Sequence, residues 1–417
     1  MRIAYLTQSY PPMISGAALV VERLAKSMAE RGHQVLVIAA SDKNYPYASY
    51  QENLTISRLR SFHNPLRVGQ RFLFYPRFKI LQALREFCPD IIHTHEPLLM
   101  SQLGLEYVES THIPILLTVH QTPWFAASYL PKSIRLRSVS ESILWAYARR
   151  IHPRFTCVIT PSHTVSDLVA RMTGIPPTTI SNGISLETFH SRLSSSEETA
   201  LRKRLHLPPH VPVILHIGRL DIEKNVERVV QAAAQGMQQT EAHLLIVGDG
   251  SQKHTLIKMC EALKIVDRAH FPGYIAPQED LPKIYRLARL FVTASEIEVQ
   301  SLVLLEAIAS GLPIVAVRAA FVPEIVHDCV NGFLVKSGDI EGFAHAISTL
   351  VKNPQQAREM GKLSRGLAET HDVHVSLDLH EQLYSDFVKQ REIQSVLKKV
   401  GTQSRLAPIK GSTEIIK

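Results

Sequence analysis

The sequence predicts an α/β protein built from two doubly wound units, each a parallel sheet covered by helices on both faces. Three observations carry this. Short apolar runs alternate with amphipathic helical periods along almost the whole chain, the pattern of repeated strand–helix units. The plan occurs twice, with a polar stretch lacking any apolar face at Ser194–Glu198 in between. A chain of 417 residues is long enough for two domains of ordinary size.

In the first half the runs Ile3–Leu6, Gln34–Ala39, Asp90–His93, Ile115–Val119 and Phe155–Ile159 read as strands, and Leu19–Arg31, Arg77–Phe87 and Ile134–Arg150 as helices. Asn182-Gly183-Ile184 reads as a turn. The second half starts near Val211, with strands at Val213–Ile217, Leu244–Val247, Leu290–Thr293 and Ile314–Val317. Its helices are Val226–Gln235, Gln252–Leu263 and Leu302–Ala309. His374, Leu377, Leu379, Leu383 and Phe387 mark a further long helix. The expected layout is a first domain at 1–190, a second at 191–370, a crossing helix at 371–392 and a disordered tail at 393–417.

No apolar stretch approaches the ~20 residues that span a bilayer. Four scattered cysteines (Cys88, Cys157, Cys260, Cys329) include no C-x-x-C. This argues against a zinc site or disulfide framework, and a cytoplasmic location is expected, with no secretion leader. The net charge of +8 is uneven: residues 1–190 hold 19 Lys/Arg against 12 Asp/Glu, a net of +7. Asn53–Arg85 carries Arg58, Arg60, Arg67, Arg71, Arg77, Lys79 and Arg85 with no acid, interleaved with Phe62, Phe72, Phe74, Tyr75 and Phe78. Lys132, Arg135 and Arg137 follow Trp124 and Phe125. Such a mixture suits an anionic lipid surface, where each basic residue contributes roughly 1 kcal/mol. It points to peripheral attachment at the inner face of the plasma membrane, and nucleic acid is not an expected partner.

Chemistry concentrates in the second half. After the strand Leu290–Thr293 comes a polar loop with Glu298, and Glu306 lies eight positions on, inside the following helix. Two carboxylates at a strand-to-helix crossing sit at the carboxyl edge of the sheet, where such folds bind ligands, and they can grip sugar or ribose hydroxyls. Gly218-Arg219-Leu220-Asp221-Ile222-Glu223-Lys224-Asn225 follows another strand and opens a helix. It sets two cations where a helix start already favours anions, an arrangement suited to a departing diphosphate.

Together these segments resemble the family-4 retaining glycosyltransferases, which use nucleotide sugars, and the resemblance covers about the first 370 residues. Arg219 and Lys224 match the family's G-R-x-x-x-x-K-N motif, and the two glutamates its Glu-x7-Glu signature. The resemblance implies the GT-B architecture: two Rossmann-like domains facing across a cleft, and a C-terminal helix crossing back to the first. It also implies catalytic roles for His120, Arg219, Lys224 and Glu298. Donor contacts are implied for Gly16, Gly218, Arg219, Lys224, Gly248, Gly273, Tyr274, Ile275, Val299, Gln300, Ser301, Leu302 and Glu306. Glu306 would take ribose hydroxyls and Glu298 those of the donor sugar. Many members have Gly-Phe-Gly after the first glutamate. Here Val299-Gln300-Ser301 is similar to the variant of bacterial transferases acting on diacylglycerol.

His93, His95 and Trp124 are expected along the acceptor cleft. No Asp-x-Asp occurs, so no metal is expected, Arg219 and Lys224 taking its place. No cofactor is expected beyond the donor substrate, for which UDP-glucose is the guess from resemblance. The reading is a hexosyltransferase acting on a membrane lipid, diacylglycerol or a glycolipid. The alternatives are a soluble or polyprenyl-linked saccharide acceptor, a GT-B protein that binds nucleotide sugar without turnover, and a hydrolysing or epimerising enzyme.

Overall fold

The structure, a computed structural model, describes residues 1–13, 15–63, 71–73, 76–123, 134–190, 193–276 and 280–403. The first domain comprises β1 (Arg2–Leu6), α1 (Gly16–Glu30), β2 (Gln34–Ala40), β3 (Tyr47–Gln51), β4 (Leu54–Leu59), β5 (Ser61–His63), β6 (Arg71–Leu73), α2 (Arg77–Phe87), β7 (Ile91–Thr94) and α3 (Leu99–Thr111). It continues through β8 (Ile115–Thr118), α4 (Ile134–Ile151), β9 (Cys157–Thr160), α5 (His163–Thr173) and β10 (Thr178–Thr179). Eight of these strands form one sheet in the order β10-β9-β8-β7-β1-β2-β4-β3, parallel except for the edge strand β3. Apolar clusters fill both faces of this sheet.

After α6 (Leu186–His190) and α7 (Ser195–Arg204), the second domain runs β11 (Val213–Ile217), α8 (Val226–Gly236), β12 (His243–Val247), α9 (Lys253–Ala262), β13 (Ala269–Gly273), α10 (Leu281–Leu287), β14 (Leu290–Thr293) and α11 (Leu302–Ala309). It ends with β15 (Ile314–Val317), α12 (Val322–Ile325), β16 (Gly332–Val335), α13 (Ile340–Lys352) and α14 (Pro354–Ala368). Its sheet is wholly parallel, in the order β13-β12-β11-β14-β15-β16. Strand order reverses between β11 and β14. That makes the loops after these two strands the walls of the crevice where such sheets take ligands. One loop carries Arg219 and Lys224, and the other carries Glu298.

The last helix, α15 (Val373–Gln403), returns to the first domain, burying Val373, Leu377 and Tyr384 in its core. Arg31 ion-pairs with Asp378 at 2.7 Å and with Glu381 at 2.5 Å, locking the helix in register. Ile184 and Phe189 already pack with the second-domain core. The helix also runs on to Gln403, where a structureless tail was expected from 393. Its outer residues Ile393 and Leu397 are exposed, so it lost the apolar period without losing the helix. Residues 404–417 lie outside the described part.

The two passages between the domains lie against each other. Ile184 N–H donates to His371 O at 2.8 Å, and Val373 N–H to Ile184 O at 3.0 Å. The contact needs glycine beside it: Gly183 has φ +72°, and a Cβ there would stand 2.8 Å from Val373 Cα.

Candidate active site

A cavity of about 600 Å³ opens between the two domains. Gly16, His120, Gly218, Arg219, Lys224, Gly248, Tyr274, Ile275, Glu298, Val299, Gln300, Ser301, Leu302 and Glu306 all line it. Residues almost 300 positions apart in sequence thus meet because both sheets present their carboxyl edges to one gap.

The second-domain wall is electrostatically organised. Lys224 Nζ lies 2.5 Å from Glu298 Oε1. Burial pushes the Glu298 carboxyl up, but the Lys224 charge and hydrogen bond, with Ser295 and Arg219, bring it below its ordinary value. Arg219 is held by Asp221 at 2.5 Å and by Glu223, so its planar fork is fixed before any ligand arrives. Gly218 and Gly248 let the two loops touch. A Cβ on Gly248, whose φ is +144°, would lie 1.8 Å from Gly218 O. Gly273 stands behind this wall, its carbonyl accepting from Gly248 N–H at 2.9 Å.

Glu306, on α11, is buried, and its Oε2 accepts from Tyr285 Oη at 2.7 Å. Burial raises its pKa, with Tyr285 and the Arg23 charge opposing. Arg23 reaches from α1 to the Asn182 and Gly183 carbonyls and so joins the first domain to the crossing turn. The loop after Glu298 is tied the same way. Ser162 Oγ donates to Val299 O at 2.9 Å, and Gln300 Oε1 accepts from Asn182 N–H at 2.7 Å. The Gln300 side-chain amide, in a stretch expected to contact the donor, is thus bonded to the interdomain turn while the residue still lines the cavity.

The first-domain wall departs from expectation at two histidines. His93 is buried in the core, bonded to Thr118 Oγ1 at 2.7 Å and Tyr384 Oη at 2.6 Å. It supports α15 and does not face an acceptor. His95 lies behind His120, Nδ1 to Nε2 at 2.9 Å, and is buried as well. Strand β7 ends under α15, which covers this edge, so the His-x-His pair faces inward. Trp124 lies outside the described residues. Of the three histidines, only His120 lines the cavity.

Sequence reasoning missed Arg23, Glu22, His216 and Tyr285. Glu22 lines the first-domain wall and pairs with Lys26 at 2.8 Å. Arg23 lies seven residues after Gly16 on the same helix face, and His216 interrupts an apolar strand. Tyr285 gave no local signal.

His380, His93, His95 and His120 form a row of rings with successive centroids 6.0, 4.2 and 5.2 Å apart. Burial lowers them all, His120 and His380 to about 4. Their folded pKa values lie below the unfolded ~6.5, so the unfolded chain binds protons first. Stability is full above about pH 6.5 and falls as pH drops towards 4. At pH 5 each ring held near 4 costs roughly 2 kcal/mol. Urea unfolding at pH 7 and pH 5 is expected to differ by at least ~3 kcal/mol, and equal stability would contradict the neutral row.

Comparison with known proteins agrees with this geometry. Residues 14–188 match the Glycosyltransferase Family 4 domain, and residues 197–366 match Glycosyl transferases group 1. A GDP-mannose-dependent alpha-mannosyltransferase of Mycobacterium tuberculosis is 30% identical, over 85% of this chain and 89% of its own. The chain belongs to the family-4 glycosyltransferases. An alpha-monoglucosyldiacylglycerol synthase of Streptococcus pneumoniae is 26% identical over 100% of this chain and 96% of its own. Among solved structures, sucrose-phosphate synthase from Thermosynechococcus elongatus aligns with a TM-score of 0.76 at 22% identity, covering 94% of this glycosyltransferase and 100% of that chain. Anabaena HepE in complex with UDP-glucose aligns at 0.74 and 22%, covering 93% and 100%. The fold of this glycosyltransferase is GT-B.

Proposed function

We propose that this glycosyltransferase moves a hexose from a nucleotide-diphosphate sugar to a membrane lipid, diacylglycerol or a glycolipid, with retention at the anomeric carbon and without a metal. The observation that carries the reading is the convergence of Arg219, Lys224, Glu298 and Glu306 on one interdomain cavity. Fixed cations meet the charge that builds on a departing diphosphate, and preorganised charge lowers the barrier most where water is excluded. The acids are placed for hydroxyls. In the retaining route the leaving phosphate takes the acceptor's proton on the same face, and the protein supplies position and charge. Relatives whose names specify alpha products, and the UDP-glucose held by Anabaena HepE, support this choice.

The lipid acceptor rests on the diacylglycerol glucosylating relatives and on the first-domain surface. Helix α2 exposes Phe78 (74%) between Arg77 and Lys79, and Phe62 and Phe72 are exposed nearby. The basic patch is smaller than the sequence suggests. Arg58 is buried and bonds the carbonyls of Tyr10, Pro11 and Ala40, and Arg77 pairs with Glu106. Arg67, Phe74, Tyr75, Trp124, Phe125 and Lys132 lie outside the described residues. Among those described, no helix is long and apolar enough to cross a membrane, and the attachment proposed is peripheral, on the cytoplasmic face.

Vesicles containing anionic lipid and diacylglycerol, incubated with the protein and labelled UDP-glucose or GDP-mannose, test the proposal. Label is expected in the lipid extract with retained configuration, and the protein is expected to float with the vesicles at low salt. Label in free sugar alone would indicate a hydrolase. Turnover only with a soluble saccharide, without flotation, would move the acceptor out of the membrane.

A further inference from the structure

His216 is the one polar side chain in the strand Val213-Ile214-Leu215-His216-Ile217, and it is 2% exposed. Its Nδ1 lies 2.9 Å from the Val292 carbonyl oxygen. A carbonyl can only accept, so Nδ1 carries a proton. Burial, only partly countered by that carbonyl, holds the ring pKa at about 4, with the Lys224 charge pushing the same way and the Glu298 charge opposing it. The ring is therefore neutral, and Nε2 offers a lone pair and no hydrogen.

That atom has no hydrogen-bond partner, although the residue lines the cavity. Gly218 has no side chain to cover Nε2: a Cβ there would stand 3.7 Å from it. Lys224, on the same wall, is already engaged by Glu298. A buried acceptor left unpaired beside a ligand cavity wants a donor from the ligand. An unprotonated phosphate oxygen is an acceptor too and would repel it, whereas a sugar hydroxyl can donate.

We propose that His216 Nε2 accepts a hydrogen bond from one hydroxyl of the donor sugar, making His216 a specificity-determining residue that reads the sugar and not the diphosphate. The assignment rests on the nucleotide-sugar reading above.

The test takes the tightest binder among UDP-glucose, UDP-galactose and GDP-mannose, its parent nucleoside diphosphate, and analogues in which fluorine replaces one sugar hydroxyl at a time. Fluorine cannot donate. Calorimetric titration of the wild-type protein is expected to show one analogue binding about tenfold or more weakly than its parent sugar nucleotide. In His216→Phe that penalty disappears, the parent sugar nucleotide binds about tenfold more weakly than to wild type, and the diphosphate binds within twofold of wild type. A fluorine penalty that survives in His216→Phe, an equal loss for the diphosphate, or no penalty in the wild type overturns the assignment.

Nitrogen NMR of the wild-type protein gives a second readout that needs no variant. The His216 Nε2 resonance is expected to move with the sugar nucleotide and to stay in place with the diphosphate; the same shift with both ligands overturns the assignment. A wild-type protein that binds none of the three sugar nucleotides refutes the nucleotide-sugar reading itself, and this assignment falls with it.

Discussion

Lys224→Ala is expected to lower kcat/KM by about 30- to 5,000-fold, equivalent to roughly 2–5 kcal/mol of transition-state binding. Two effects add. The cation proposed to meet the leaving diphosphate is lost. Glu298 also keeps its burial but loses the charge 2.5 Å away that offsets it, so its carboxyl rises above the ordinary range and protonates nearer to neutral pH. Removing one partner of a buried pair costs more than removing both. Lys224→Ala combined with Glu298→Gln is therefore expected to regain thermal stability without regaining activity. Arg219→Ala should lose activity on the same scale, because Asp221 on the cavity wall and the buried Glu223 then lose the guanidinium that bridges them. Steady-state kinetics with the preferred donor, alongside thermal unfolding, decide this. Losses below threefold for both single variants would remove the two cations from the mechanism.

Gly248→Ala is expected to be nearly as damaging, through the backbone. The added carbon would overlap Gly218 O at 1.8 Å, in a loop whose φ of +144° already excludes most side chains. The β11 and β12 loops must part, and the wall that holds Arg219 moves with them. A cost of about 2–4 kcal/mol is expected, read as a fall in Tm of roughly 4–16 °C, with donor affinity reduced as well. Gly366→Ala is the matched control. It sits in α14 with nothing within 4 Å of its added carbon, and replacing a helical glycine there should be neutral or slightly stabilising. Similar behaviour of the two variants would mean that the loop contact carries no weight.

Much of the second domain was legible because its strands are short, mainly apolar runs, with Gly218 closing β11, Gly248 closing β12 and Pro313 opening β15. β11, β14, β15 and α11 start and end where the sequence places them. The hairpin of β3 and β4 was not. Its turn uses Asn53 with a positive φ of 59°, and β4 was read as part of a basic surface. Arg58 shows why charge misleads there: on a strand it turned inward to bond three carbonyls. In the site, the motif residues were legible because their chemistry is local, cations after one strand and acids after another. The inward-facing His93, the Gln300 amide held by Asn182, and Arg23 at the turn depend on partners more than a hundred residues away, and His95 on His120 at the end of the neighbouring strand. No periodicity encodes such meetings.

The paired crossings at Ile184 and Val373 have a mechanical meaning. With both connections running side by side, the two lobes share a single spine, as the covers of a book do. A rotation about that line would leave the amide–carbonyl contacts on it in place while changing the gap between His120 and Lys224 on the opposite page. The width of the cavity would then be set at this seam, where Arg23 holds the Asn182 and Gly183 carbonyls.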